Sequence, residues 1–441
     1  MSRDGSMSDT IANSLLSGSL ADYIEHDGAS LLNRWREHQD WWDGRLRFGI
    51  DPYSKFTSSR IATECTASTR DGHTVSGVNF GSQEYLNLAS HPEVLHAAKN
   101  AIDDFGVHSA GSAALMGNTK LSVDLEQRMA EFLGYKDCTV FPTGWGAGYG
   151  VIKTLVRPSD HVIIDRLAHA SLHEGARGST GNVHTFPHLS FEHAKTLLLK
   201  IRNDHPAAGI LVVTETVFSM DSDVPDIAAL QNLCRAHGAT LMVDAAHDMG
   251  AIAPKGGGYL ELQGCTGMPD ILMGSFSKTF ASNGGFVASN DTNLKLAMRY
   301  GCGPLTFTNA ISPIQCAIIS KCLDIIERDE GVELRSRLME NVLYMRKRMA
   351  ESDFILFGQP SAIVPVILGD NAISRLTTHH AFELGGITNL VEYPAVKRDT
   401  SRWRIQMMAN HNKNQIDKFV DIAVRARQNA SSYLEVMSKA R

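Results

Sequence analysis

Apolar residues gather in short runs that lack the apolar–polar alternation of a half-exposed strand. Cys138-Thr-Val-Phe, Val162-Ile-Ile, Gly209-Ile-Leu-Val-Val, Ala239-Thr-Leu-Met-Val, Ile271-Leu-Met and Phe286-Val-Ala are the clearest. Between the third and fourth runs, Ile227, Leu230, Leu233 and Cys234 recur at helical spacing from Pro225 to His237, and Gly238 closes the pattern. Continuous apolar strands separated by helices predict an α/β fold, a mostly parallel central sheet flanked by helices on both faces. Beyond residue 325 a long helical stretch, Glu327 to Glu351, leads into Ala362-Ile-Val-Pro-Val-Ile-Leu. A helix pattern from Ser374 to Leu384 then precedes Arg402-Trp-Arg-Ile-Gln-Met-Met, which reads as a small α+β domain. The chain thus divides into an N-terminal arm and helical segment (1–75), a large domain (76–324) and a small C-terminal domain (325–441). Trp35, Trp41 and Trp42 stand in a charged helical context. They either anchor the arm on another surface, such as a second subunit, or line an amphipathic helix.

Composition narrows the class. The 441 residues are 43% hydrophobic and 20% charged with a net charge of −6, which gives no electrostatic case for nucleic acid or an anionic membrane. Seven scattered cysteines without a CxxC pair read as reduced, mostly buried thiols of a cytoplasmic protein. The first residues lack the apolar core of a signal peptide, and no run approaches a membrane span.

In sheets of this kind ligands bind beyond the carboxyl ends of the strands, so the polar residues there are the candidates for chemistry. Asp244 and His247 close one apolar run. Ser275, Ser277 and Lys278 close another, followed by Gly284-Gly285. Thr143-Gly144-Trp145-Gly146-Ala-Gly148 closes a third and opens a helix. Singly these signals are weak, because an aspartate after a strand often caps a helix and a Ser-x-Ser-Lys turn is often only a loop. The glycine-rich segment is neither a dinucleotide fingerprint nor a Walker loop. Together they supply what pyridoxal phosphate requires. A lysine must form the imine, a carboxylate must keep the pyridinium nitrogen protonated, and a helix N-terminus with small hydroxyl residues must seat the phosphate. His169 and His173 stand four apart, but no third ligand or HExxH order accompanies them, so the reading includes no metal and makes His169 a ring stacked on a planar cofactor.

From about residue 80 to 411 the chain resembles the α-oxoamine synthases, fold-type I pyridoxal phosphate enzymes. The matching motifs are Tyr85-Leu-Asn-Leu with His91-Pro92, Phe105-Gly-Val-His-Ser-Ala-Gly-Ser112, Asp165…His169-Ala-Ser171 and Glu215-Thr-Val-Phe-Ser219-Met-Asp221. They continue with Asp244-Ala-Ala-His247, Ser275-Phe-Ser-Lys278 and Arg404…His411. The resemblance implies that Lys278 is the Schiff-base lysine and the base for the α-proton. It implies that Asp244 pairs with the pyridinium nitrogen, that His247 meets the phenolic oxygen, and that His169 and Ala246 flank the ring. Thr143, Gly144, Trp145, Ser219, Ser275 and Ser277 fall to the cofactor, and Thr308 to the phosphate of a neighbouring subunit in a homodimer with shared sites. Arg404 would bind the substrate carboxylate, with Gln83 and Ser112 beside the substrate. The implied reaction condenses a small L-amino acid with a medium or long acyl-thioester, carried by CoA or an acyl carrier protein, and releases CO2 and free thiol. An aminotransferase or lyase on the same scaffold is the alternative.

The chain departs from the family pattern in places. Ala245 replaces an acid, Gln83 an asparagine, Ala113 an arginine and Ser122 a histidine, and Asn87 stands where the family's Asn-Asp-Tyr-Leu-Gly element ends in glycine. These changes concern the substrate pocket more than the cofactor.

Overall fold

The structure, a computed structural model, describes residues 14–24, 27–53 and 55–439. The chain forms two compact units, one spanning Gln83–Met339 and one combining the residues up to Ser82 with those from Glu340 onward.

The first unit is built on a seven-stranded sheet: β1 (Asp137–Phe141), β2 (His161–Asp165), β3 (Val183–Phe186), β4 (Ile210–Glu215), β5 (Thr240–Asp244), β6 (Ile271–Ser275) and β7 (Gly285–Ser289). Their spatial order is β1-β7-β6-β5-β4-β2-β3. Every apolar run singled out in the sequence is one of these strands, and β2, β4 and β7 are buried along their whole length. The α/β fold with a mostly parallel sheet holds. One strand differs from a purely parallel arrangement, because β7 runs antiparallel to both β1 and β6. Its cause is chain length: only residues 276–284 join β6 to β7, and a parallel crossover needs about a dozen or more. β3 escaped the sequence reading because it is an edge strand, mostly half-buried, and carries no continuous apolar run.

Helix α1 (Gly144–Leu155) follows β1, α2 (Ala170–Ser179) follows β2, and α3 (Ile227–Ala236) lies between β4 and β5. Val151, Ile152 and Leu172 from the helices meet Val162, Ile164, Val213, Met242 and Met273 from the strands in one apolar core. α3 opens on an Asp226 cap and closes one residue before Gly238, whose φ of +60° suits glycine. The helix Lys120–Leu133 explains one departure from the family. Ser122 exchanges hydrogen bonds with Thr119 in a capping box. Asn87 holds a φ of +59°, the left-handed region that asparagine tolerates better than most residues in place of glycine.

In the other unit β8 (Ile363–Gly369) pairs antiparallel with β9 (Ser401–Gln406), and α4 (Asn371–Glu383) and α5 (Lys413–Lys439) pack together. Trp403 of β9 is wholly buried and donates its indole N–H to Thr378 of α4 at 2.8 Å. Trp41 lies in this unit's own core with Leu15, Leu16, Ile50 and Leu376, whereas Trp35 is exposed. Two arginines and two carboxylates are buried beside it. Arg375 Nε is 2.5 Å from Glu392 Oε1, and Arg45 Nη2 is 3.3 Å from Asp51 and 3.5 Å from Glu392. Arg375 also donates to the carbonyls of Leu15 and Leu16, tying down the N-terminal segment. His411 stacks on Phe80 at 4.1 Å and is fixed in one tautomer. Its Nδ1 accepts the Met408 N–H, so Nε2 carries the proton and donates to the Asn79 carbonyl.

All seven cysteines are buried and unpaired. No helix among the described residues is long and apolar enough to cross a membrane.

Candidate active site

Six of the seven strands of the large sheet end on the same edge, and that edge gathers the polar residues. Asp165 ends β2, Glu215 ends β4, Asp244 ends β5 and Ser275 ends β6. Register places Glu215 opposite Asp244 and Asp244 opposite Met273, so the carboxylates stand on neighbouring strands.

Asp244 is buried, and burial raises its carboxyl above the ordinary range. The charges of His169 and Lys278 and the N–H of Ala246 oppose that shift. Glu215 is buried as well, and desolvation together with the Asp244 charge pushes it far above the usual carboxylate value. Two carboxylates on neighbouring strand ends in a low-dielectric surround each disfavour the other's charge, and the effect is the greater on Glu215. Glu215 accepts the His169 N–H at 2.5 Å. His169 caps α2, its Nδ1 accepting from the Ser171 N–H at 3.3 Å. Trp145 stands edge-on to the His169 ring at 5.7 Å.

His247 is buried, and its Nδ1 lies 3.0 Å from the Tyr85 hydroxyl. The next residue, Asp248, is raised to about 7 by burial, even though Thr216 Oγ1 at 2.6 Å and the Tyr259 N–H at 2.7 Å both donate to it. Thr216 also donates its N–H to the Asp244 carbonyl at 2.8 Å, linking the end of β4 to that of β5. Tyr85, Glu215, Thr216 and Asp248 were absent from the sequence-derived site. The first three lay inside its motifs, and Glu215 closes an apolar run in the manner that singled out Asp244.

The Thr143–Gly148 turn opens α1. The Thr143 hydroxyl accepts the Gly146 N–H at 2.9 Å, and the first-turn N–H groups of Gly144 and Trp145 have no intrahelical acceptor by geometry. Backbone from three strand ends converges here. A Cβ on Gly144 would lie 2.6 Å from Ser275 Cβ, and one on Gly285 would lie 2.6 Å from Gly144 Cα. Ser275 Oγ donates to Ser277 Oγ at 3.0 Å beside this turn. A helix N-terminus, two hydroxyls and close glycine backbone make a seat for a phosphate. Lys278 is half-buried in the β6–β7 link, and a carboxylate, a flanking imidazole and the seat belong to the same edge. These residues fit pyridoxal phosphate.

The remaining sequence-derived residues are placed as follows. Ala246 is half-buried next to Asp244, and Ser219 is half-buried in the turn after β4. Gln83 is half-buried at the start of this unit, while Thr308 is exposed. Ser112 turns its hydroxyl to the Thr306 carbonyl at 2.6 Å, which holds the 109–114 loop to the 306–310 segment. Arg404 lies on β9 of the other unit, on the same strand face as the buried Gln406. His173 lies half-buried on α2, and burial lowers its affinity for a second proton.

Comparison with known proteins agrees. The aminotransferase class I and II family matches residues 75–422. The 8-amino-7-oxononanoate synthase of Salmonella paratyphi B is 33% identical over 346 residues, covering 78% of this chain and 88% of its own. The serine palmitoyltransferase of S. paucimobilis, solved with pyridoxal phosphate and myriocin bound, superposes with a TM-score of 0.85 at 27% identity, over 91% of this chain and 100% of that one. The Sphingomonas wittichii serine palmitoyltransferase gives the same TM-score, 0.85, at 27% identity, over 92% and 100%. The chain belongs to the aminotransferase class I and II family and, within it, to the α-oxoamine synthases, acyltransferases that depend on pyridoxal phosphate.

Proposed function

We propose that this enzyme condenses a small L-amino acid such as serine, alanine or glycine with a medium- or long-chain acyl-thioester, releasing CO2 and free thiol and leaving an α-aminoketone. The observation that carries the reading is the strand-end constellation in which the buried Asp244 carboxyl feels the charges of His169 and Lys278, on the same sheet edge as the helix N-terminus opened by Thr143. Pyridoxal phosphate, when bound, supplies an electron-accepting ring conjugated to the substrate's α-carbon. The protein's residues supply the rest. Asp244 holds the proton on the ring nitrogen, and His169 covers one face and Ala246 the other. His247, set by Tyr85, donates toward the phenolic oxygen. The N–H groups of Gly144 and Trp145, with Thr143, Ser219, Ser275 and Ser277 around them, seat the phosphate and ring. Lys278 tethers the cofactor and then moves the α-proton. Arg404 grips the substrate carboxylate through a bidentate pair, with Gln83 and Ser112 nearby. The three residues 244, 169 and 278 thus divide charge, stacking and proton transfer among them.

The enzyme works in this reading as a cytoplasmic homodimer in which Thr308 reaches the phosphate bound by the partner subunit. Support comes from the surface near Thr308, where Phe307 and Met116 are each 90% exposed. The long-acyl preference draws on the likeness to the serine palmitoyltransferases.

The test is a spectral titration of the holoenzyme with each small L-amino acid, followed by product mass analysis with an acyl-CoA series. CO2 release must require both substrates. Amino-group transfer to a keto acid without CO2 release would overturn the reading. Arg404→Ala must weaken amino-acid binding far more than cofactor binding, and an unchanged amino-acid titration would remove Arg404 from its role.

A further inference from the structure

His188 stands outside every motif yet links two loops of the site. It lies in the turn after β3, and its two ring nitrogens reach two different carboxylates. Nδ1 is 3.0 Å from Asp165 Oδ1, and Nε2 is 3.2 Å from Asp223 Oδ2. Asp165 is fully buried at the end of β2, where it also accepts the N–H groups of Leu167 and Leu189. Four residues past Asp165 comes His169. Asp223 belongs to the loop after β4, which closes on itself: the Phe218 N–H donates to the Asp223 carbonyl at 3.0 Å, and the Ser222 N–H to the Phe218 carbonyl at 2.8 Å. Ser219 lies inside that closed loop. The Phe218 ring stands edge-on to the imidazole at 4.5 Å and shields it.

We infer that His188, as an imidazolium donating to Asp165 and Asp223 at once, is a positioning residue that clamps the Ser219 loop to the His169 loop and so fixes both against the cofactor. Doubly donating geometry needs both ring protons, and the energetics agree. Burial alone would lower the ring's affinity for its second proton, but the bonds to Asp165 and Asp223 outweigh burial and raise it to about 9. The clamp also has an electrostatic consequence. It places a positive charge beside Asp165, one of three carboxylates on adjacent strand ends with Glu215 and Asp244. A divalent cation held by His188, Asp221 and Asp223, whose ligand atoms lie within 4.8 Å of one another, is the competing occupant of this place. The second ring proton argues against it.

This inference rests on the assignment of His169 and Ser219 to pyridoxal phosphate. Its test uses the holoenzyme variants His188→Gln, Asp223→Asn and His188→Ala, the last with and without added imidazole, beside His169→Ala. The readouts are visible circular dichroism of the bound cofactor, its dissociation constant, and kcat and KM for the amino acid separately. The clamp requires a changed dichroism band in His188→Gln and Asp223→Asn, and a kcat loss of up to about 100-fold with KM less affected, the scale set by misplacing a reacting group by about 1 Å. Imidazole must restore the band in His188→Ala. Bands unchanged in both clamp variants while His169→Ala alters its own would overturn the clamp alone. A band indifferent to His169→Ala would remove the stacking assignment first, and the clamp with it. Loss of the wild-type band on chelation, restored by Mg2+ or Zn2+, would replace the clamp by a metal site. Asp223→Asn is the safeguard should His188→Gln fail to fold, because Asp223 is only partly buried.

Discussion

Gly144→Ala tests the phosphate seat directly. The added Cβ would stand 2.6 Å from Ser275 Cβ and 2.7 Å from Ser275 Oγ, against an ordinary contact of 3.4–4 Å. Ser275 cannot simply retreat. It belongs to β6, pairs with Gly285 of β7, and offers its hydroxyl to the same seat. Either the serine or the first turn of α1 must therefore shift by most of an ångström. Overpacking of this kind costs about 1–3 kcal/mol. If the shift falls on the seat, that cost appears in cofactor binding as roughly a 5- to 150-fold weaker affinity, since about 1.4 kcal/mol is tenfold. The assay is titration of the apo-enzyme with pyridoxal phosphate, followed by absorbance, beside a thermal melt of the apo form. Gly181→Ala is the control, because a Cβ there meets nothing within 4 Å. Wild-type affinity in Gly144→Ala, with an unchanged melting temperature, would refute the seat. A lowered melting temperature with wild-type affinity would show that the strain is absorbed away from the ligand.

Other consequences are open to measurement. Asp244→Asn should raise the apo-enzyme's melting temperature, because it removes a carboxylate whose charge burial disfavours, while cutting kcat by about 100-fold or more; a lower apo melting temperature would contradict this. His411 is held by burial near a pKa of about 4, so the unfolded chain binds its proton first as pH falls below 6.5. Stability should therefore drop between about pH 6.5 and 4 by up to roughly 3 kcal/mol, and urea midpoints of His411→Asn should slope less over that window. Glu392→Gln leaves two buried arginines facing only Asp51, and a loss of about 3–5 kcal/mol in denaturant unfolding is expected. Exchanging Arg375 and Glu392 together for apolar residues should recover much of it, and additive losses would argue against a desolvated pair.

What could be read from the sequence follows from which interactions are local. The strands β2, β4 and β5 declared themselves because both faces are covered, so no polar alternation interrupts them. Asp244, Ser275 and Lys278 could be picked out because they end such runs. The reversal of β7 was not evident in the apolar pattern and lay instead in the shortness of its link. The stretch Glu327–Glu351 read as one helix and is one from Asp329 to Glu351; what its periodicity did not show is that a separate helix, Pro313–Glu327, ends just before it, with Arg328 (ψ of 173°) between the two. Gly331 lets the second helix start so close to the first, since a Cβ there would collide with the Ile326 carbonyl oxygen. His188 was equally hidden, with partners 23 and 35 residues away along the chain. The upward shift of the Glu215 carboxyl comes from its burial and from Asp244 and Asp165 on the neighbouring strand ends, and has no trace in any one strand.

The short link between β6 and β7 also limits how the protein can change. Surface connections ordinarily accept inserted residues at little cost. Residues 276–284 cannot, for they are held at both ends by the Ser275–Gly285 pair and carry Lys278 three residues past the strand end. Extra length there would let the two strands keep their register while the lysine drifted from Asp244. Enzymes of this fold are therefore free to diversify at the outer loops, as this chain does at Gln83 and Ala113, but should tolerate almost no length variation in that nine-residue stretch. A library of single-residue insertions scanned along the chain would display this as a narrow gap in an otherwise permissive loop map.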